Sequence, residues 1–174
     1  MVIMVVEAVF SICTRRSMFL TLPLLLRAKD PILVQIFLAT QCPISNRYIP
    51  ELNRIARLYQ PQGVQFIGLF AETGLSALRL EEWVREFSPV FPAALDTGAV
   101  QARKASVTLT PEVAVSKASR LCYRGRIDDR YVSWGKSRPQ PTRHDLAELL
   151  SNLVAGKSVT LRFTKAWGCY IESL

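Results

Sequence analysis

Two nearly continuous apolar runs, Ile32–Leu38 and Val64–Phe70, bracket a stretch that reads as one long helix. Runs of this kind, with no strict polar alternation, belong to strands covered on both faces. Between them Ile49, Leu52, Ile55, Ala56 and Tyr59 recur at helical spacing, giving Pro43–Tyr59 a single apolar side. Pro50 lies inside that helix and is expected to kink it. Pro61-Gln62-Gly63 is a turn that ends it. Two strands joined by a helix pair in parallel, because a parallel partner needs a long crossover.

The alternation continues. Ser76–Phe87 is predicted to be a helix with Leu78, Leu80, Trp83, Val84 and Phe87 inward. A short strand over Phe91–Leu95 and a short helix over Thr97–Ala105, centred on Val100 and Ala105, come next. Pro111 opens a further strand that reaches Val115, and the turn Ser119-Arg120 leads to another over Leu121–Asp128. A basic, Pro-rich loop, Lys136–Pro141, precedes the last helix. Thr142 and Asp145 have the spacing of an N-terminal capping box, Leu146, Leu149, Leu150 and Leu153 form the apolar side, and Gly156 ends it. The order predicts an α/β domain: a central mixed β-sheet, parallel at its core and closed by a hairpin, flanked by helices. There is no internal repeat. The expected organisation is a leader over residues 1–28, one domain over 29–158, and a tail over 159–174 that carries Cys169.

The leader expectation rests on Thr14-Arg15-Arg16-Ser17, followed by the apolar run Met18–Leu26 and then Arg27-Ala28. A basic segment before a short apolar one is the pattern of an export signal, and Arg-Arg before Phe-Leu resembles a twin-arginine signal. Export to the periplasm is the expectation, with a cytoplasmic protein as the alternative. The apolar runs are too short to span a bilayer, so no stable membrane span is expected once the leader is removed. Of the 174 residues 49% are apolar and 21% charged, as in a globular protein. The net charge of +8 comes from scattered Lys and Arg without a basic run, which reads as a solvated surface and not a nucleic-acid site. Four cysteines, at 13, 42, 122 and 169, and a single histidine predict neither a disulfide scaffold nor a metal site.

Cys42 carries the chemical signal. It stands between the first strand and the helix that opens at Pro43, where backbone N–H groups and the helix dipole favour a thiolate. Pro43 suits a first helical turn. Thr40 either donates to that thiolate or simply ends the strand. Cys122, between Leu121 and Tyr123, is expected to be buried. His144 is expected at the surface. Arg124, Arg126, Asp128, Asp129 and Arg130 read as a solvated ion-pair network, with an Arg beside Cys42 as the alternative.

The element order, Cys42 after the first strand, Pro50 eight residues later and Thr110-Pro111 before the hairpin together resemble the thioredoxin superfamily. Cys42-Pro43-Ile44-Ser45-Asn46-Arg47-Tyr48, Thr110-Pro111-Glu112, Tyr123–Tyr131 and Gly168-Cys169-Tyr170-Ile171 resemble, more narrowly, bacterial redoxin-domain proteins near the peroxiredoxin-like branch of the AhpC/TSA group. The resemblance covers about residues 31–171 and implies a thioredoxin-like fold. It implies that Cys42 is the attacking thiol and that the peptide before Pro111 is cis and lies beside it, so that Thr110 and Pro111 offer backbone groups to a substrate. Where a thioredoxin has its second cysteine this chain has Ser45, which can donate to the thiolate but cannot resolve a mixed disulfide. Cys169 is then the candidate resolving thiol within the chain. A peroxiredoxin pattern would place a Thr three residues before the Cys; Thr40 is two before Cys42, and Gln35 stands where that pattern has Pro. Arg126 is a candidate for holding an anionic substrate.

The function this implies is thiol-dependent oxidoreduction without a bound cofactor. The partner would be a protein or low-molecular-weight thiol or disulfide, or a peroxide. The alternatives are a non-catalytic binding module of the same fold and a peroxiredoxin-type peroxidase.

Overall fold

The computed structural model describes residues 30–172. The leader expected over residues 1–28 lies outside them. Strand β1 (Ile32–Leu38) is followed by helix α1 (Pro43–Tyr59), β2 (Val64–Phe70), α2 (Ala77–Phe87), β3 (Ala93–Leu95) and α3 (Val100–Ala105). The second half holds β4 (Leu109–Thr110), β5 (Glu112–Lys117), β6 (Arg120–Gly125), the small hairpin β7 (Tyr131–Ser133) and β8 (Lys136–Ser137), α4 (Asp145–Val154), β9 (Arg162–Phe163) and β10 (Cys169–Tyr170). Six strands form one mixed sheet in the order β3-β2-β1-β5-β6-β9. β1, β2 and β3 run parallel, β5 is antiparallel to β1 and β6, and β9 is parallel to β6.

The central position of β1 explains its unbroken apolar character. Val34, Ile36, Phe37 and Leu38 are fully buried, because β2 and β5 take its edges and both faces are covered. Val34, Ile36 and Leu38 join the side of the core that holds Ile49, Leu52, Ile55, Leu80, Trp83, Leu146 and Leu150, whereas Phe37 packs with Leu69, Ala99, Ala102, Val107 and Ile171 on the other. The apolar side predicted for α1 is the buried one, and the helix continues past the exposed Pro50. Trp83 stacks edge-on to Phe70 with ring centres 4.8 Å apart. Among the described residues no helix is long and apolar enough to cross a membrane.

Four local expectations change. Leu78 is 61% exposed, because it lies in the first turn of α2 and off the side carrying Leu80 and Trp83. Val100 is exposed, and Ala99, Ala102 and Ala105 make the contacts expected of it. Thr142 does not cap α4. His144 takes that position, exposed as expected, while the Thr142 hydroxyl donates to Asp129. The ion-pair network is only half solvated: Asp128, Asp129 and Asp145 are 2%, 4% and 3% exposed, whereas the partner side chains of Arg138 and Arg162 are 41% and 44% exposed. Asp145 takes Arg126 and Arg162, and Asp129 takes Arg138 and the backbone N–H groups of Thr142 and Arg143. These carboxylates pin α4 against the end of β6, which is why charged residues cluster there.

Burial alone would raise the Asp129 carboxyl. Hydrogen bonds from Thr142 and Arg143, with the Arg138 charge, overcome it and hold the group well below the usual carboxylate range. The stabilisation is therefore complete above the unfolded carboxylate pKa of about 3.9 and is lost as pH falls toward the folded value. Asp129→Ala strands the Thr142 and Arg143 donors. It is expected to lower stability by about 3 kcal/mol at neutral pH and to blunt the loss of Tm on acidification, both read by thermal melts.

Candidate functional site

Cys42 occupies the N-cap position of α1, with extended backbone angles of φ −85° and ψ 111° and Pro43 next in the helix. Its N–H bonds the Ala39 carbonyl at 3.2 Å, and its own carbonyl accepts the Asn46 N–H at 3.1 Å. The turn from β1 into α1 is thereby fixed, and Cys42 is only 1% exposed. The Thr110-Pro111 peptide is cis, as the resemblance implied. The Thr110 carbonyl accepts the Cys42 thiol proton at a sulfur–oxygen distance of 3.2 Å.

Cys169 completes the site from 127 residues away, its thiol donating to the Cys42 sulfur at 2.8 Å. The stretch expected as a tail is tied into the fold at two points. Thr164 N–H bonds the Arg124 carbonyl beside Gly125, and β10 pairs antiparallel with β4 so that Cys169 lies opposite Thr110. Gly168 makes that register possible, because a Cβ there would overlap the Thr110 carbonyl. Gly125, at φ 148°, leaves room in the same way for the Thr164 backbone.

The two thiols are not equivalent. Burial opposes ionisation of Cys42, but hydrogen bonds from the Cys169 thiol, from the hydroxyl and N–H of Ser45 and from the Cys169 N–H outweigh it, so Cys42 lies below an ordinary thiol. Ser45 is fully buried, and its oxygen accepts the Ala39 N–H at 3.4 Å, leaving its proton for the sulfur. Cys169 moves the other way. Burial, donation to Cys42 and the Cys42 charge push it up to about 12. Of the two thiols Cys42 is therefore the more acidic.

Thr40 does not reach the thiolate. Its N–H and hydroxyl both donate to Glu72, at 2.7 and 2.9 Å, and its carbonyl accepts from Asn46. Glu72 outcompetes the sulfur because one carboxylate satisfies two adjacent donors. Arg126 is held by Asp145 at 2.8 Å and is not among the residues lining the cavity that opens on Cys42. Cys122 is buried as expected. Glu72 is the functional neighbour that sequence reasoning missed. It follows β2 by two residues in a loop, and no local motif marks it.

The cavity, of about 290 Å³, is lined by residues that include Ala39, Ala71, Glu72, Thr110, Cys169 and Glu172. Among the described residues no cluster of side chains suits a metal ion. The site holds two thiols in contact and donors that favour the anion of one of them.

No protein-family model and no curated protein matches the chain. Solved structures do. A hypothetical protein of Sinorhizobium meliloti is 23% identical, with 83% of this chain and 80% of that one covered and a TM-score of 0.70. An uncharacterized conserved protein of Geobacillus kaustophilus is 25% identical, covers 82% and 77%, and has a TM-score of 0.67. The thioredoxin domain of a thiol-disulfide oxidoreductase of Bacteroides vulgatus shares 11% identity over 72% and 81%, with a TM-score of 0.53. The fold is thioredoxin-like, a central mixed sheet flanked by helices.

Proposed function

We propose that this protein is a two-cysteine thiol–disulfide oxidoreductase in which Cys42 attacks and Cys169 resolves. The observation that carries the reading is the 2.8 Å contact between sulfurs 127 residues apart, with their acidities driven in opposite directions. The Cys42 thiolate attacks one sulfur of a disulfide R–S–S–R′. A Cys42–S–S–R bond forms, the substrate S–S bond breaks, and R′–S⁻ leaves and takes a proton from water. Cys169 then loses its proton and attacks the Cys42 sulfur, expelling R–S⁻. The protein ends with a Cys42–Cys169 disulfide, having passed two electrons to the substrate. An external dithiol returns it to the reduced state.

Each neighbour has a place in these steps. Ser45 and the N-terminal turn of α1 stabilise Cys42 as nucleophile and again as leaving group when the protein disulfide is reduced. The weak acidity of Cys169 keeps it protonated until Cys42 is no longer an anion. Formation of the mixed disulfide removes that negative charge, and with it one of the causes that raise Cys169. Resolution is thereby switched on only after attack.

Site-resolved alkylation against pH tests the assignment. Cys42 is expected to react with iodoacetamide with a midpoint below the free-thiol value of about 8.5, and Cys169 only in strongly alkaline solution. A Cys42 midpoint at or above the free-thiol value overturns the reading.

A further inference from the structure

We infer that the substrate of the Cys42 site is a small disulfide bearing positive charge. This rests on the thiol–disulfide reading above and adds size and charge to it. The size follows from how the thiol is covered. Cys42 is 1% exposed, and the main-chain edge beside it is taken: β10 pairs with β4, Cys169 lies opposite Thr110, and the Ile171 N–H bonds the Thr108 carbonyl at 3.0 Å. Gly168 is pressed against the Thr110 carbonyl with no space for a side chain between them. An extended polypeptide cannot add to β4 while the chain's own strand lies there. The cavity of about 290 Å³ is what opens on the two sulfurs, at the low end of small-molecule pockets.

The charge follows from the lining. This is a basic protein of net charge +8, yet the described residues around the cavity include Glu72 and Glu172 and neither Lys nor Arg. Glu72 accepts the Thr40 N–H on one oxygen and the Thr40 hydroxyl on the other. Glu172 is exposed at the cavity rim. Leu38, Ala39, Ala71 and Ile171 supply apolar wall. A dianionic disulfide approaching Cys42 meets two carboxylates and the thiolate itself. A disulfide ending in ammonium groups meets opposite charge at the same distance.

The test compares three disulfides of similar size with the full, reduced chain: cystamine (a dication), hydroxyethyl disulfide (neutral) and dithiodiglycolate (a dianion). Rates of mixed-disulfide formation at Cys42 are divided by those of a small neutral thiol with the same compounds, which removes differences in intrinsic reactivity. The normalised rate for cystamine is expected to exceed that for dithiodiglycolate by at least about tenfold at low ionic strength, and the ratio to shrink in 0.5 M salt. Glu172→Gln is expected to cut the ratio by about threefold. A ratio near one, or one favouring the dianion, overturns the charge selectivity while leaving the thiol reading intact. Reaction of Cys42 with none of the three overturns the thiol–disulfide reading and this inference together.

Discussion

Cys42→Ser lowers the rate of disulfide reduction by at least roughly a thousandfold, because a serine hydroxyl is not ionised near neutral pH and is a far weaker nucleophile toward sulfur. The fold is expected to survive. Serine is close in size, and the position is an N-cap, where a serine oxygen accepts helix N–H groups well. A second effect separates a chemical role from a structural one. The Cys42 charge helps to raise Cys169, so its removal should bring the Cys169 midpoint down from about 12 toward an ordinary thiol. Stopped-flow reduction of a chromogenic disulfide reads the first effect and alkylation against pH reads the second. Unchanged disulfide reduction in Cys42→Ser would remove Cys42 as the attacking thiol.

Cys169→Ser produces a different failure. Attack proceeds, but the mixed disulfide at Cys42 has lost the one thiol that touches Cys42 among the described residues. Ser45, where a thioredoxin has its second cysteine, cannot form an S–S bond. One equivalent of substrate thiol is expected to be released in a single burst, with the other half retained on Cys42 and visible as an added mass. In the wild-type chain mild oxidation is expected to give a Cys42–Cys169 peptide on non-reducing mapping. Intramolecular resolution draws on an effective thiol concentration far above that of free thiols, so the variant's turnover should fall by about a hundredfold or more at low external thiol. Full turnover in Cys169→Ser would assign resolution to an external thiol instead.

The legible parts of the fold were those set by periodicity. The unbroken run of β1 and the apolar stripe of α1 each state their own burial, and both match the structure. The errors fell where tertiary contacts outrank local pattern. Thr142 has good capping spacing, yet the buried Asp129 takes its hydroxyl. Thr40 stands two residues from Cys42, yet Glu72 from the next strand's loop takes both of its donors. Alternating charges on β6 and beyond look like a solvated face until α4 closes over them. In each case the deciding partner is distant in sequence, so no window along the chain contains it.

By itself the sequence determined that a thiol would sit at the start of a helix after a central strand, and that no cysteine three residues on would partner it. Strand periodicity, the breaking power of Pro and Gly and the N-terminal helix position are local effects. Only the tertiary structure decided which cysteine meets Cys42. The approach of Cys169 depends on β10 finding β4 and on a glycine at 168 small enough to lie against Thr110. Those are contacts between segments about 60 residues or more apart. The opposite acidities of the two thiols, on which the proposed chemistry depends, arise only once the sulfurs share one buried place.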